Sequence, residues 1–423
     1  MFSSRFVRYT RLDRLHRSAG VSDRAVALGF VARFADEVLS GAWTVLTPTF
    51  RAVFRLSLVQ IGFLSQLLNW VALVVEPLAA VHIDVGDRRL LMAGGALALA
   101  GSAVMMGLAP GYAVLALGFG LYGVGSGPLV LTADVLVVET FPGASERAYS
   151  RATFLDTLGA LVGPGVVALA AAFGLSWRVV LVGLGGCVGV YALSLAGTRF
   201  PRPALSTPDG TGDADRESPD SPVGWAVHVA RLVANGRTVV RDRRARTWLV
   251  VLLCFDLFEA AFVLKYIWLH DSVGLGQPLV AVYATVEQVV DLVALAMLDR
   301  WLARRDAGHI LRYAASALVV LPTAWVVAPG IAGRIAVGIP LAFAYTLIWP
   351  LAKSQSLTAI PELGGATQAI TALFPILPLA LVEARVAAAV GVGPAMAATA
   401  TLGALLMLLA LRAIPPSLVK ATG

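Results

Sequence analysis

Apolar residues run along this chain in long blocks, not at the spacing of a half-buried helix or strand. Twelve such blocks lie at 26–48, 56–81, 90–109, 112–139, 150–173, 177–197, 247–269, 278–300, 310–328, 331–353, 365–388 and 393–412. A helix that crosses a bilayer needs about 20 mostly apolar residues, and its backbone groups must be satisfied within the segment. The pattern therefore predicts an all-α integral membrane protein of about 12 transmembrane helices.

The pattern breaks between 198 and 246. Residues 201–223 are rich in Pro, Asp, Ser and Gly, which predicts a disordered linker. Residues 224–240 place Trp225, Val229, Leu232 and Val233 at helical spacing, opposite Arg231 and Arg237. That is the pattern of an amphipathic helix lying on a membrane surface. The expected organisation is an N-terminal six-helix bundle over 1–197, a cytoplasmic linker over 198–246 and a C-terminal six-helix bundle over 247–423.

Composition agrees with the blocks. Hydrophobic residues make up 58% of the chain and charged ones 14%, against about 45–50% and about 25% in a typical soluble domain. The net charge of +7 does not point to nucleic acid, because the basic residues sit between apolar blocks and not along one face. Lysine occurs only at 265, 353 and 420, so arginine sets the orientation. With the N-terminus inside, the inner segments hold Arg5, Arg8, Arg11, Arg14, Arg17 and Arg24, then Arg88 and Arg89, Arg147, the cluster Arg241, Arg243, Arg244 and Arg246, and Arg300, Arg304, Arg305 and Arg312. The outer loops are short and nearly uncharged, as the positive-inside rule requires. An even count then puts both termini in the cytoplasm of a plasma-membrane protein. The first span is expected to act as its own insertion signal, without a cleavable leader. Cys187 and Cys254 both lie in apolar blocks and read as packing residues.

The two halves repeat. Asp84-Val85-Gly86-Asp87-Arg88-Arg89 closes span 2, and Asp299-Arg300-Trp301-Leu302-Ala303-Arg304-Arg305 closes span 8. Ala152-Thr153 with Pro164 in span 5 matches Ala366-Thr367 with Pro378 in span 11, again about 215 residues on. Together these describe a duplicated six-helix unit. At this point the chain resembles the major facilitator superfamily. That family's loop between spans 2 and 3 is matched by Ala80, Asp84, Asp87, Arg88 and Arg89, with departures at Ala80 and Val85, where Gly and Arg are expected. Gly159-Ala160-Leu161-Val162-Gly163-Pro164 is similar to the glycine–proline motif of the family's antiporters, with Val167 and Ala168 replacing its trailing glycines. Trp177-Arg178 at the start of span 6 is a further likeness. In span 4 the usual arginine ahead of Gly123-Val124-Gly125 is missing, and Phe119 stands near its place. The resemblance implies two pseudo-symmetric bundles and alternating access, and leaves the subfamily open.

It also implies a role for the charges at the inner ends. Asp84, Asp87, Arg88, Arg89, Asp134, Glu139, Asp299 and Arg300 form a candidate gating cluster, whose ion pairs would latch neighbouring helices in one state and release them in the other. The plainer alternative is topology alone, with arginines anchoring inner loops.

Charges at bilayer depth are costly and commonly functional. Asp36 and Glu37 lie roughly 15 Å into span 1 at the helical rise, and Arg33 precedes Glu37 by four, so those two can pair on one face. Asp256 and Glu259 share a face of span 7, and Glu287 and Asp291 a face of span 8. The resemblance places spans 1 and 7 on a central cavity, where a carboxylate can take up and release a proton near neutral pH. Arg33, Asp36, Glu37, Asp256, Glu259, Glu287 and Asp291 are accordingly the candidate proton-coupling and substrate residues. Asp156 is expected to cap or pair locally at the start of span 5. Lys265, Arg334 and Arg385 are expected to snorkel. Gly159, Gly163 and Pro164 permit close helix approach and a bend in span 5. Pro350, Pro375 and Pro378 raise the same possibility in spans 10 and 11. Trp43, Tyr122, Tyr345 and Trp349 are candidate cavity aromatics, or lipid-facing anchors.

The expected function is secondary active transport of a small organic molecule by proton-coupled efflux, with acid-rich cavities favouring cationic or amphipathic cargo. Two alternatives stay open: a proton-coupled metabolite or sugar symporter, for which Gln60, Gln66, Asn69, Gln288, Gln355 and Gln368 are the available polar groups, and a non-transporting sensor on the same fold. An enzyme is not indicated. His82, His270 and His309 are not grouped as metal ligands, and there is no nucleotide-binding glycine–lysine loop. No cofactor, no metal and no nucleic acid are expected. The partners are the lipid bilayer, the substrate and protons, or Na+ in their place, acting on a monomer.

Overall fold

The computed structural model describes residues 21–85, 87–141, 145–200, 234–302, 304–305, 307–360, 367 and 370–413. They are helical almost throughout, with no strand among the described residues. The helices are α1 (Asp23–Val45), α2 (Thr47–Phe54), α3 (Leu58–Val85), α4 (Arg88–Leu108), α5 (Tyr112–Thr140), α6 (Ser145–Ala172) and α7 (Trp177–Ala196). After the linker follow α8 (Arg243–Ala261), α9 (Lys265–Asp271), α10 (Gln277–Leu302), α11 (Ala307–Val327), α12 (Gly330–Ala359), α13 (Leu379–Val390) and α14 (Val392–Arg412). Residues 234–241 are also helical, while 224–233, the first part of the expected amphipathic helix, lie outside the described residues.

Local chemistry sets several starts. Ser22, Asp87, Ser176 and Asp242 cap α1, α4, α7 and α8, each accepting a hydrogen bond from a backbone N–H of the first turn. Ten helices among the described residues are long and apolar enough to cross a membrane, the run from Arg243 to Asp271 counting as one. Leu117, Val190, Leu193 and Val320 are more than 60% exposed on these helices. Large apolar side chains turned outward suit a chain whose surrounding solvent is hydrocarbon.

Spans 1 and 11 of the sequence pattern fall outside those ten. Span 1 is α1, a helix of 23 residues whose apolar run is interrupted by Arg33, Asp36 and Glu37. Span 11 is corrected more substantially: the expected continuous helix over 365–388 is interrupted, with 367, 370 and 371 helical before the break and a regular helix resuming at Leu379. Phe374–Ile376 forms a 3-10 turn containing Pro375, and Pro378 has a non-helical ψ of 55°. A proline lacks the N–H that helix propagation needs, and two prolines three residues apart stop it. Residues 361–366, 368 and 369 lie outside the description.

The described residues form two compact units. One falls within 1–207 and 269–289, the other within 208–268 and 290–423, so that α10 begins in the first and ends in the second. In the first unit α4 packs against α5 and α7, α3 against α5, and α1 along α6. Its core includes Phe30 edge-on to Phe141, with ring centroids 6.2 Å apart. Within the same unit Gln277 accepts from Thr49 at 2.9 Å and donates to the Val45 carbonyl at 2.8 Å, and Arg51 pairs with Asp271. In the second unit α11 packs against α12 and α14, and α8 lies along α14.

Two glycines bring α1 and α6 into backbone contact. A Cβ on Gly163 would stand 2.4 Å from the Val38 carbonyl, and one on Gly159 would stand 2.6 Å from that of Phe34. Pro164, next to them, packs against Gly41. The glycine–proline motif of span 5 is thus the surface on which span 1 rests.

Candidate functional site: charges buried in the two units

In the first unit α1 carries three of the candidate groups. Arg33 meets Asp134 of α5 in a two-pronged pair, Nε to Oδ1 and Nη2 to Oδ2, both at 2.7 Å. Its Nη1 reaches Asp156 of α6 at 3.3 Å. The guanidinium thus bridges three helices, a use for which its planar fork is suited. The sequence placed Asp134 in the gate and Asp156 in a local cap or pair. The structure brings both onto Arg33, a partner more than 100 residues away in each case.

One turn further, Asp36 is buried, with a relative exposure of 8%. Tyr122 donates to its Oδ1 at 2.8 Å and Ser126 to its Oδ2 at 3.1 Å, both from α5. Trp43 packs edge-on against Tyr122 and Phe119. Tyr122 and Trp43, two of the four candidate aromatics, therefore line the Asp36 environment. Glu76 of α3 lies near enough for its charge to act on Asp36, and its side chain packs against Gly127, one residue from Ser126. Glu37 is partly buried on the same helix.

In the second unit Glu259, exposed on α8, accepts from Tyr345 of α12 at 3.1 Å. Phe255 stacks on Tyr345 at 5.2 Å and faces Trp349 at 5.8 Å, and Phe258 lies 6.0 Å from Tyr345. Asp256, one turn below Glu259, feels the charges of Glu259 and of Lys353 on α12. The Lys353 ammonium donates to Thr371 at 2.8 Å and sits 5.4 Å from the centre of the Trp349 ring. Asp291 of α10 accepts from Thr346, which also donates to the Ala342 carbonyl. Glu287, one turn earlier on α10 and within the first unit, is half-buried.

The gating cluster is only partly described. The side chains of Asp84, Glu139 and Asp299 lie outside the described residues. Asp87 caps α4 by accepting from the Arg89 N–H at 2.9 Å, and its carboxylate lies 3.5 Å from the Arg89 guanidinium. Arg88 is buried, and its Nε donates to the Ile83 carbonyl at 3.2 Å. Arg300 is exposed in the last turn of α10.

Several groups in these environments were passed over in the sequence: Glu76, Ser126, Thr346 and Lys353; so was Glu383, which lies apart from them on α13. Glu76 and Glu383 carried the same signal as Asp36, an acid inside an apolar block. Ser126 and Thr346 carried none, since a hydroxyl costs little at that depth and its partner lies on another helix. Among the described residues no group of His, Cys, Asp and Glu could hold a metal ion.

A model of the Major Facilitator Superfamily matches residues 26–374. By structure the chain is similar to a bacterial homologue of the human lysosomal transporter Spinster, with a TM-score of 0.67 and 16% identity over 96% of this chain and 100% of that one. It is similar to the nucleoside transporter NupG, with a TM-score of 0.64 and 13% identity over 92% and 100%. It is similar also to the Escherichia coli fucose:proton symporter FucP, with a TM-score of 0.58 and 16% identity over 92% and 97%. No curated protein matches the sequence.

Proposed function

The chain belongs to the Major Facilitator Superfamily, and we propose that it exports a small cationic or amphipathic organic molecule in exchange for protons, by alternating access. One observation carries this reading. Spans 1 and 7, which the repeat makes equivalent, both hold carboxyl groups deep in the membrane, each met by a tyrosine hydroxyl: Asp36 by Tyr122 and Glu259 by Tyr345. A carboxyl held by a hydroxyl keeps a partner in either protonation state, since the tyrosine oxygen can donate to the carboxylate or accept from the acid. Such a pair can change its proton without leaving a polar group orphaned. Exposed Glu259, beside Phe255, Phe258 and Trp349, offers negative charge and aromatic faces to a cation.

Proton-coupled symport is the competing reading, favoured by the likeness to a structure described as a fucose:proton symporter. Reconstitution in liposomes with an internal pH dye separates the two. A panel of organic cations, neutral amphipaths and sugars is added under an imposed proton gradient, with wild type beside Asp36→Asn and Glu259→Gln. Export predicts that a cation drives protons opposite to its own movement in wild type and loses that coupling in at least one folded variant. Co-movement of protons with a sugar would replace antiport by symport. Equal proton movement in all three proteins would remove both carboxyls from the coupling machinery.

A further inference from the structure

Glu383 lies on α13, in the span that the prolines interrupt, and belongs to neither group of charges described above. Its residue is 2% exposed. Neither carboxyl oxygen has a hydrogen-bond partner among the described residues. The Thr399 hydroxyl of α14 is directed toward it without meeting hydrogen-bond geometry. The elements packed against α13 are α14, α8 and the 3-10 turn Phe262–Leu264. Their titratable groups are Arg412 in the last turn of α14, and Arg243, Arg244, Arg246, Cys254, Asp256 and Glu259 on α8; the turn has none, and Lys265 follows it. On α13 itself Arg385 is exposed, two residues on, which turns it away from Glu383.

An ionised carboxyl so placed would be a desolvated charge without donor or counter-ion, the arrangement that membrane interiors penalise most. The neutral acid asks only for one acceptor for its O–H, and Thr399 needs a small rotation or shift to supply it. Helix α13 follows the break at Phe374–Ile376 and Pro378. A break of that kind is where a short helix can shift relative to its neighbours.

We propose that Glu383 is a proton-holding site of the second unit, separate from Asp256 and Glu259, whose proton is exchanged when α13 moves during the transport cycle. On exposure the acid O–H breaks, the proton passes to water and the carboxylate is left hydrated; the bond re-forms before the site closes. The exchange part rests on the proton-coupled reading above, whereas the holding part does not.

Two measurements on the full chain test it. Dicyclohexylcarbodiimide is lipid-soluble and adds the O–H of a protonated, water-poor carboxyl across its C=N bond. Peptide mapping of the wild-type protein in liposomes is expected to find the adduct on Glu383 at neutral pH, unaffected by sodium at constant pH. Absence of the adduct on Glu383 while other acids react would overturn the proposal, and protection by sodium would reassign the site to that ion. In the liposome assay, Glu383→Gln is expected to lower the protons moved per solute while leaving solute exchange without a gradient intact. An unchanged ratio would overturn the exchange step. If wild type moves no solute but Glu383 is labelled, the transport reading fails and the proton-holding site stands. Glu383→Leu, an apolar replacement of similar size, is expected to fold as well as Glu383→Gln, because neither carboxyl oxygen holds a hydrogen bond that the replacement would break; a protein that folds with Gln but not with Leu would overturn the neutral, unpartnered site.

Discussion

Three residues before Asp36 the first unit has Arg33, and three residues before Asp256 the second has Leu253. That one difference runs through the packing. In the first unit a guanidinium ties α1 to α5 and α6 through Asp134 and Asp156, and two glycines let α1 and α6 touch backbone to backbone. Asp36 is then buried under two hydroxyl donors. In the second unit the helix α8, equivalent to α1, runs mainly along α14 and touches the short α13 less. Gly403 permits that contact, since a Cβ there would stand 2.8 Å from the Phe258 nitrogen. Glu259 is exposed, with aromatic rings and one tyrosine hydroxyl around it. The first unit holds its carboxyl under two donors, and the second leaves one exposed beside aromatic rings.

The sharpest way to break this comparison is to separate the glycine contacts. Gly163→Val puts a branched side chain where even a Cβ is 2.4 Å from a carbonyl oxygen. Overpacking against backbone cannot be relieved by a rotamer change, so the expected cost is about 3 kcal/mol. It is read as a lowered Tm of the purified protein. Gly403→Val should lower Tm too, through α8 and α14. Gly183→Val, with nothing within 4 Å of its Cβ, should leave Tm unchanged. If Gly183→Val lowers Tm as much as the other two, the close crossings at Gly163 and Gly403 are not what the loss reports.

Arg33→Gln is next in size. It leaves Asp134 and Asp156 as like charges without a cation. Their side chains are 24% and 27% exposed, so water screens part of the loss, and a destabilisation of about 2 kcal/mol is expected. Asp134→Asn in the same chain should recover part of it, because one of the two unpaired charges is gone. Strict additivity of the two variants in Tm would show that the bridge is not a single interacting unit.

How much of this could be read in the chain depends on the distance between partners. The apolar blocks and the family resemblance foretold an all-helical membrane fold, and ten of the helices have the length and hydropathy to span. Span 1 was legible in spite of its charges, because the block continues on both sides of them. Pro375 and Pro378 were legible as a bend but not as a stop, since helix interruption depends on whether neighbours re-satisfy the freed backbone groups. Asp36 stood out as an acid among apolar residues, but Tyr122 and Ser126 did not, being 86 and 90 residues away. Arg33 offered a tempting partner four residues on in Glu37, and the local pairing rule says nothing of Asp134, 101 residues away. Only packing of α1 against α5 decides that contact.

The smallest expected effect compares the two tyrosines directly. Tyr122→Phe and Tyr345→Phe each delete one hydroxyl facing a carboxyl and leave the ring in place. At Asp36, 8% exposed, water does not replace the lost donor, and Ser126 alone remains on the other oxygen. A hydrogen bond to a charged group that is not replaced is worth about 1.5–3 kcal/mol, so Tyr122→Phe should lower Tm measurably. At Glu259, which is exposed and held by one hydroxyl, another donor can approach the carboxylate, and Tyr345→Phe should move Tm less than Tyr122→Phe does. Its effect should appear instead in ligand affinity, since Tyr345 sets the direction of the Glu259 carboxylate. Differential scanning fluorimetry of both variants, with and without a transported compound, reads the two effects together. A loss of Tm at Tyr345→Phe equal to that at Tyr122→Phe would mean that Glu259 is held as tightly as Asp36, and that the second unit is no more open than the first.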